Sequence, residues 1–198
     1  MRTLDIGMDL DGVCYDFTES LRHYLVTHEG YDPADLPGGG ADDPNTTWEF
    51  YRDCWGMTTE DFLAACANGV DAGVVFGHGE PFEGTVETLQ KFRDDGHRIH
   101  IITNRSFGTR SHHNTSEWLE EHRVPFDSLV FSAHKTIIRP DLMVDDYEDN
   151  FRAFLDVGVP CFLYDRPWNR GVLDQGFRVH GWGEVAKVVG QFADRSLR

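Results

Sequence analysis

Positive charge is what this chain has least of. Lysine and arginine together number 18 against 34 aspartates and glutamates in 198 residues, a formal net charge of −16. Binding to a nucleic-acid backbone relies on many Lys and Arg contacts to phosphate, so this balance argues against a polynucleotide partner. Long apolar runs are missing as well. None approaches the roughly 18 residues that read as a membrane span, and the amino terminus turns acidic by Asp5, which does not suit a signal peptide. A soluble, cytoplasmic protein with no membrane partner is expected. Cysteine is sparse: Cys14, Cys54, Cys66 and Cys161 make no Cys-x-x-Cys pair and have no histidine at zinc spacing. Free thiols are the expectation, not a metal knuckle or disulfide framework. The histidines are scattered, and the adjacent His112 and His113 cannot share a helix face. No Gly-x-Gly-x-x-Gly or Gly-x-x-x-x-Gly-Lys-Ser/Thr pattern follows a strand, which removes the main support for dinucleotide or Walker-type binding.

What the chain does carry begins at Leu4-Asp5-Ile6-Gly7-Met8-Asp9-Leu10-Asp11-Gly12-Val13. Apolar residues at alternate positions lead into two carboxylates and a glycine, the pattern of a buried strand that ends where polar chemistry begins. Ligands of open α/β sheets sit at the carboxyl ends of strands. Alternate strand residues point the same way, so Asp9 and Asp11 can face one pocket. Like charges that close require a cation or a shared proton. Taken alone, Asp-x-Asp-Gly reads equally well as a turn with two solvated aspartates, and the rest of the chain has to decide.

Downstream, helical and strand patterns alternate. Phe17, Leu21, Tyr24 and Leu25 mark a helix running to about Gly30, and the Asp-, Pro- and Gly-rich residues 31–44 read as a loop. The aromatics Trp48, Phe50, Tyr51 and Trp55 precede a second helix opened by Thr58-Thr59-Glu60-Asp61. A helix from Pro81 to Gly96 leads into a strand at Arg98–Thr103. Further strands are expected at 128–131, 141–145 and 159–164, with an edge strand at 177–180 and a terminal helix at 184–194. This alternation predicts an α/β fold with a doubly wound, mostly parallel, Rossmann-like sheet and a small helical cap inserted after the first strand. The expected division is a core of residues 1–17 and 81–198 and a cap of residues 18–80.

Three strand ends therefore carry polar groups in a set order: Asp9 and Asp11, then Thr103, then Lys135 with Asp145 and Asp146 ten residues on. In this order the chain resembles the haloacid dehalogenase superfamily of phosphotransferases. Its four motifs are Asp-x-Asp, a Ser or Thr, a Lys or Arg, and a terminal acidic pair. The chemistry accounts for these residue types on its own. A carboxylate nucleophile divides phosphoryl transfer into two steps, a hydroxyl and backbone N–H groups hold phosphate, a lysine neutralises developing charge, and acidic residues hold a divalent cation.

Within the superfamily the chain is similar to the 5′(3′)-deoxyribonucleotidases and their bacterial and phage-type relatives, through Asp16-Phe17, Met143-Val144-Asp145-Asp146 and Asp165-Arg166-Pro167-Trp168-Asn169. The resemblance implies a Mg²⁺-dependent phosphomonoesterase, a 5′-nucleotidase acting on (deoxy)nucleoside monophosphates, with Asp9 as nucleophile and Asp11 as acid and base. It implies that Thr103 and Lys135 act on the phosphate. The implied Mg²⁺ ligands are Asp9, the Asp11 carbonyl and one or both of Asp145 and Asp146. Phe17, Trp48 and Phe50 become candidates to enclose the nucleoside. Where that group is similar to Thr-Ser-Pro, this chain has Thr103-Asn104-Arg105, which adds a cation and makes Asn104 and Arg105 further candidates for substrate contact. A homodimer is compatible with this reading. Bland alternatives stand beside these roles: the aromatics as cap packing, Thr103 as a helix cap, Lys135 as a surface residue. As whole-protein alternatives, a sugar phosphate could replace the nucleotide, or the fold could serve as a non-catalytic binding protein.

Overall fold

The computed structural model describes residues 2–38, 47–174 and 176–195. Six strands, β1 (Asp5–Met8), β2 (Arg98–Thr103), β3 (Ser128–Phe131), β4 (Leu142–Asp145), β5 (Cys161–Tyr164) and β6 (Arg178–Val179), form one sheet in the order β3-β2-β1-β4-β5-β6. Every pairing is parallel. Parallel strands need crossover connections and are covered on both faces, so they read as near-continuous apolar runs. The parity of the residues assigns them to layers. Leu142 and Val144 of β4, with Phe162 and Tyr164 of β5, join the larger core cluster. Met143, Cys161 and Leu163 point the other way, into a smaller cluster with Phe151 and Phe154. The expected doubly wound sheet is present.

Helices α1 (Phe17–His28), α2 (Phe50–Asp53) and α3 (Thr59–Asp71) all lie between β1 and β2, followed by α4 (Thr85–Asp94). Local chemistry sets their starts: Asp16 accepts the Glu19 N–H at the head of α1, and Thr58 accepts the Asp61 N–H at the head of α3. Residues 39–44 of the Asp-, Pro- and Gly-rich loop lie outside the described residues. Helix α4 begins four residues later than its Pro81 start signal. Gly84 adopts φ 85°, which no continuing helix allows. The Phe82 N–H, in the turn before it, donates to the Cys14 carbonyl at 3.0 Å.

Helices α5 (Ser111–Glu121), α6 (Glu148–Asp156) and α7 (Trp182–Arg195) complete the layers. Side chains of α5 tie down the far end of α3: Asn114 Nδ2 donates to the Val70 and Val75 carbonyls at 2.7 and 3.2 Å. Just ahead of α5, Thr109 donates its N–H and hydroxyl to Asp71. Among the described residues no helix is long and apolar enough to cross a membrane.

Candidate active site

The strand order reverses at β1 and β4, and the carboxyl ends of adjacent strands there splay to leave a crevice. Asp9 is the first residue beyond β1, and Asp145 is the last of β4. The Asp9 N–H donates to the Val144 carbonyl at 3.0 Å, which locks the two strand ends in register. Lys135 enters from a single 3₁₀ turn, Lys135–Ile137, on the connection between β3 and β4. Its ammonium is nearly buried and bridges Asp9 Oδ2 at 2.7 Å and Asp145 Oδ2 at 2.8 Å.

Asp9, Asp145 and Asp146 are all buried, and each offers a carboxylate oxygen within 4.8 Å of the others. Burial, reinforced by Asp145 and Asp11 and opposed by Lys135, pushes the Asp9 carboxyl up to about 7. Burial first, then the charges of Asp9 and Asp145, hold Asp146 well above the usual carboxylate range. For Lys135, burial works to lower the pKa, but Asp145 and Asp9 outweigh it and hold the ammonium above its ordinary value. When all three carboxylates are ionised, the one contacting ammonium leaves two negative charges unbalanced. That deficit equals the charge of one divalent cation, and an all-oxygen donor set suits a hard one.

The two members of the acidic pair differ in how they are satisfied. Asp145 accepts from Lys135, from the Tyr147 N–H at 3.0 Å and from Asn150 Nδ2 at 3.1 and 3.2 Å. Asp146 accepts from Trp168 Nε1 at 3.0 Å, and its carbonyl from Asn169 Nδ2 at 2.8 Å. Gly12, at φ 74°, lies against Asp146, where a Cβ would sit 2.1 Å from Oδ2, so only glycine lets the first loop close over that carboxylate. Arg166 reinforces the closure by donating Nε to the Gly12 carbonyl at 2.5 Å.

A cavity of about 600 Å³ opens from these groups. Its wall includes the polar Asp9, Asp11, Asn104, Lys135 and Asp146 and the aromatic Phe17, Trp48 and Phe50. The crevice and insertion thus bring together most of the residues singled out from sequence. Three differ. Asp145 is fully buried behind Lys135 and is not part of the wall. Thr103 is also buried outside the wall, with a hydroxyl that has no hydrogen-bond partner among the described residues. Arg105, expected to contact substrate, has a side chain with no exposed surface and forms an ion pair with Asp11 instead. Strand-end spacing locates a residue along the chain but not the partner that draws it inward.

Several wall residues escaped the sequence reading. Phe62 on α3, Phe76, and Phe107 in the loop after β2 surround Phe17 at centroid distances of 6.5, 5.9 and 6.3 Å. Phe107 carried a usable signal, since it lies on a loop leaving a strand end at the crevice. Trp48, half exposed, rests on Tyr147 at 4.3 Å and meets Trp168 edge-on.

This architecture is that of the haloacid dehalogenase superfamily of hydrolases. The sheet and its covering helices superpose on a haloacid dehalogenase-like hydrolase from Streptococcus pneumoniae with a TM-score of 0.61 at 14% identity, covering 94% of this chain and 98% of that one. A superfamily hydrolase of subfamily IA from Geobacter sulfurreducens gives 0.60 at 17% identity, covering 94% and 100%. Within that class the chain belongs to the family described as "5' nucleotidase, deoxy (Pyrimidine), cytosolic type C protein", whose sequence profile matches residues 2–195. A protein of Chlorobaculum tepidum, provisionally named a 5'(3')-deoxyribonucleotidase, is 28% identical over 194 residues, 94% of this chain and 90% of its own length. The 5'(3')-deoxyribonucleotidase of Bacillus subtilis is 28% identical over 105 residues, 52% of this chain and 56% of its own. The chain is accordingly a phosphatase of the haloacid dehalogenase type.

Proposed function

We propose that the protein is a Mg²⁺-dependent 5′-nucleotidase that hydrolyses (deoxy)nucleoside monophosphates through an aspartyl-phosphate on Asp9. The observation that carries this reading is one cavity whose wall combines a carboxylate bridged to a buried lysine with the aromatic rings of Phe17, Trp48, Phe50 and Phe107, which suit a base. Aromatic walls stack flat π-systems such as a base.

In this mechanism an Asp9 oxygen attacks phosphorus in line, and the bond to the ester oxygen breaks. Asp11, at the cavity edge, gives its proton to the departing alkoxide and then takes one from the water that cleaves the aspartyl-phosphate. Lys135 lies 2.7 Å from Asp9 and neutralises charge on the transferring phosphoryl group. Asn104, in the wall, is the neutral side-chain donor for the phosphate, and the Thr103 hydroxyl at the end of β2, buried outside the wall and unpartnered among the described residues, lies one residue before it. Asp9, the Asp11 carbonyl and Asp146 would hold Mg²⁺, which screens the phosphate's negative charge. Asp145 orients Lys135, because its oxygens are already committed to Lys135, Tyr147 and Asn150.

The test is phosphate release from a panel of ribo- and deoxynucleoside monophosphates, sugar phosphates and 4-nitrophenyl phosphate, with Mg²⁺ and with chelator. Nucleotides hydrolysed best, and only with Mg²⁺, is the expected result. A sugar phosphate hydrolysed well ahead of every nucleotide overturns the substrate assignment.

A further inference from the structure

The loop after β2 contributes a cation that never reaches the cavity. Arg105 has a fully buried side chain, gripped along its edge and packed against two aromatic rings. Nε and Nη2 donate to the two Asp11 oxygens at 3.1 and 2.8 Å, and Nη1 donates to Thr115 Oγ1 at 3.1 Å. The guanidinium lies 4.5 Å from the Tyr15 ring centroid and 4.4 Å from that of Phe76. Its main chain is held as well, with the carbonyl accepting from Ser111 Oγ at 2.6 Å. Phe76 reaches this slot with φ 67°, a left-handed backbone that an aromatic residue adopts only when its surroundings impose it.

We propose that Arg105 is a positioning residue that fixes the Asp11 carboxylate for proton transfer, an inference that rests on the acid–base reading of Asp11. A carboxylate has about four lone-pair sites, and the Arg105 fork occupies one on each oxygen. The remaining edge of Asp11, whose side chain is 25% exposed, stays open to the cavity. Without the fork the carboxylate could rotate about its last bond. General acid catalysis depends on a proton held within hydrogen-bond reach of the leaving oxygen, so that rotation lowers the rate. The slot selects arginine because a planar, two-point donor packed against rings does what a lysine point charge cannot. Contact with substrate does not fit a side chain with no exposed surface.

The experiment compares wild type, Asp11→Asn, Arg105→Met, Arg105→Lys and the double variant Asp11→Asn/Arg105→Met. Rapid-quench first turnovers are measured with saturating Mg²⁺ on the best nucleoside monophosphate and on 4-nitrophenyl phosphate, whose leaving group departs without a proton. Arg105→Met is expected to slow the nucleotide turnover by about 10–10²-fold, the scale of a misplaced catalytic group, with KM little changed and the nitrophenyl ester nearly unaffected. Arg105→Lys should recover only part of the rate. The double variant should be no slower than Asp11→Asn alone, because the two residues act as one unit.

Equal losses on both esters, a rise in KM with kcat unchanged, or losses that multiply in the double variant each overturn the proposal. If Arg105→Met leaves an unpaired Asp11 and does not fold, the double variant removes both partners, and any slowing of the nucleotide beyond Asp11→Asn overturns it. The two readings fail differently. Asp11→Asn slowing both esters equally overturns the acid–base role and the inference with it, whereas a selective Asp11→Asn beside an unselective Arg105→Met overturns the inference alone.

Discussion

At the sheet end of the cavity, Lys135 bridges Asp9 and Asp145 at 2.7 and 2.8 Å. Elsewhere in the cavity wall, Phe17 meets Phe62, Phe76 and Phe107 at centroid distances near 6 Å. The first region is set by strand register and by dedicated partners, Lys135 for Asp9 and Asp145, Tyr147 and Asn150 for Asp145, and Trp168 for Asp146, so each group there has no substitute. The second is a cluster of rings in which every member has several neighbours and shares its load. The contrast teaches that substitutions in the crevice should act nearly all-or-none, while those among the rings should be graded.

The largest effect tests the all-or-none half. Asp9→Asn keeps volume but removes the proposed nucleophile, and turnover should fall on the order of 10⁴–10⁶-fold on nucleotide and nitrophenyl ester alike, the scale seen when a nucleophile is deleted. The variant should remain folded by circular dichroism. Near-wild-type phosphate release from it would remove the covalent mechanism.

Metal and pH sharpen the same half. In the metal-free protein, burial raises the Asp9 carboxyl from 3.8 to about 7. Between those values the folded state binds more protons than the unfolded state, so stability falls as pH rises through the window. The contribution is complete below about pH 4 and gone above about pH 7. Mg²⁺ at a hundredfold excess over Kd should return about 2.7 kcal/mol, which for a chain of this size is a rise in Tm of about 5–11 °C. Thermal scans from pH 4.5 to 8, with Mg²⁺ and with chelator, should show a metal-induced rise that grows with pH. A metal-induced rise that is flat across this range would contradict the buried, protonated Asp9.

Among the rings, Phe17→Ala should weaken nucleotide binding by about 1–3 kcal/mol, the value of one stacked base. The change should appear in KM for nucleotides and leave the nitrophenyl ester much less affected. Equal changes on both substrates would mean that Phe17 packs the insertion and does not contact the base.

The same contrast governs how much could be read from the chain. Asp9, Asp11, Lys135 and the Asp145-Asp146 pair were legible because strand periodicity marks where each strand ends, and polar residues at parallel strand ends converge on one crevice. The order of the elements, and with it the sheet, was legible for the same reason. Arg105 was misread because the group that captures it, Asp11, lies 94 positions away, and nothing local says that a cation will turn inward between Tyr15 and Phe76. The α4 start was misplaced because Pro81 is a good helix opener in isolation, while Gly84 takes a left-handed φ of 85° that breaks the helix before Thr85. Phe62 and Phe107 were missed because an aromatic residue in sequence announces burial but not the cluster it joins.

The smallest effect belongs to Trp48, where the two regions touch. Its ring stacks on Tyr147, which follows the acidic pair, and meets Trp168, whose indole N–H donates to Asp146. Half of Trp48 is exposed, so it has less contact to lose than Phe17. Trp48→Ala should therefore raise nucleotide KM by no more than about tenfold, roughly one exposed ring contact of 0.5–1.5 kcal/mol. The Mg²⁺ concentration needed for half-maximal activity should not move, because Trp168 is anchored separately through the Pro167–Asn169 turn, where Asn169 binds the Asp146 and Tyr164 carbonyls. Mg²⁺ titrations of wild type and Trp48→Ala at fixed nucleotide measure both quantities. A weakened Mg²⁺ dependence in the variant would show that the rings brace Asp146 and that the two regions are one coupled unit.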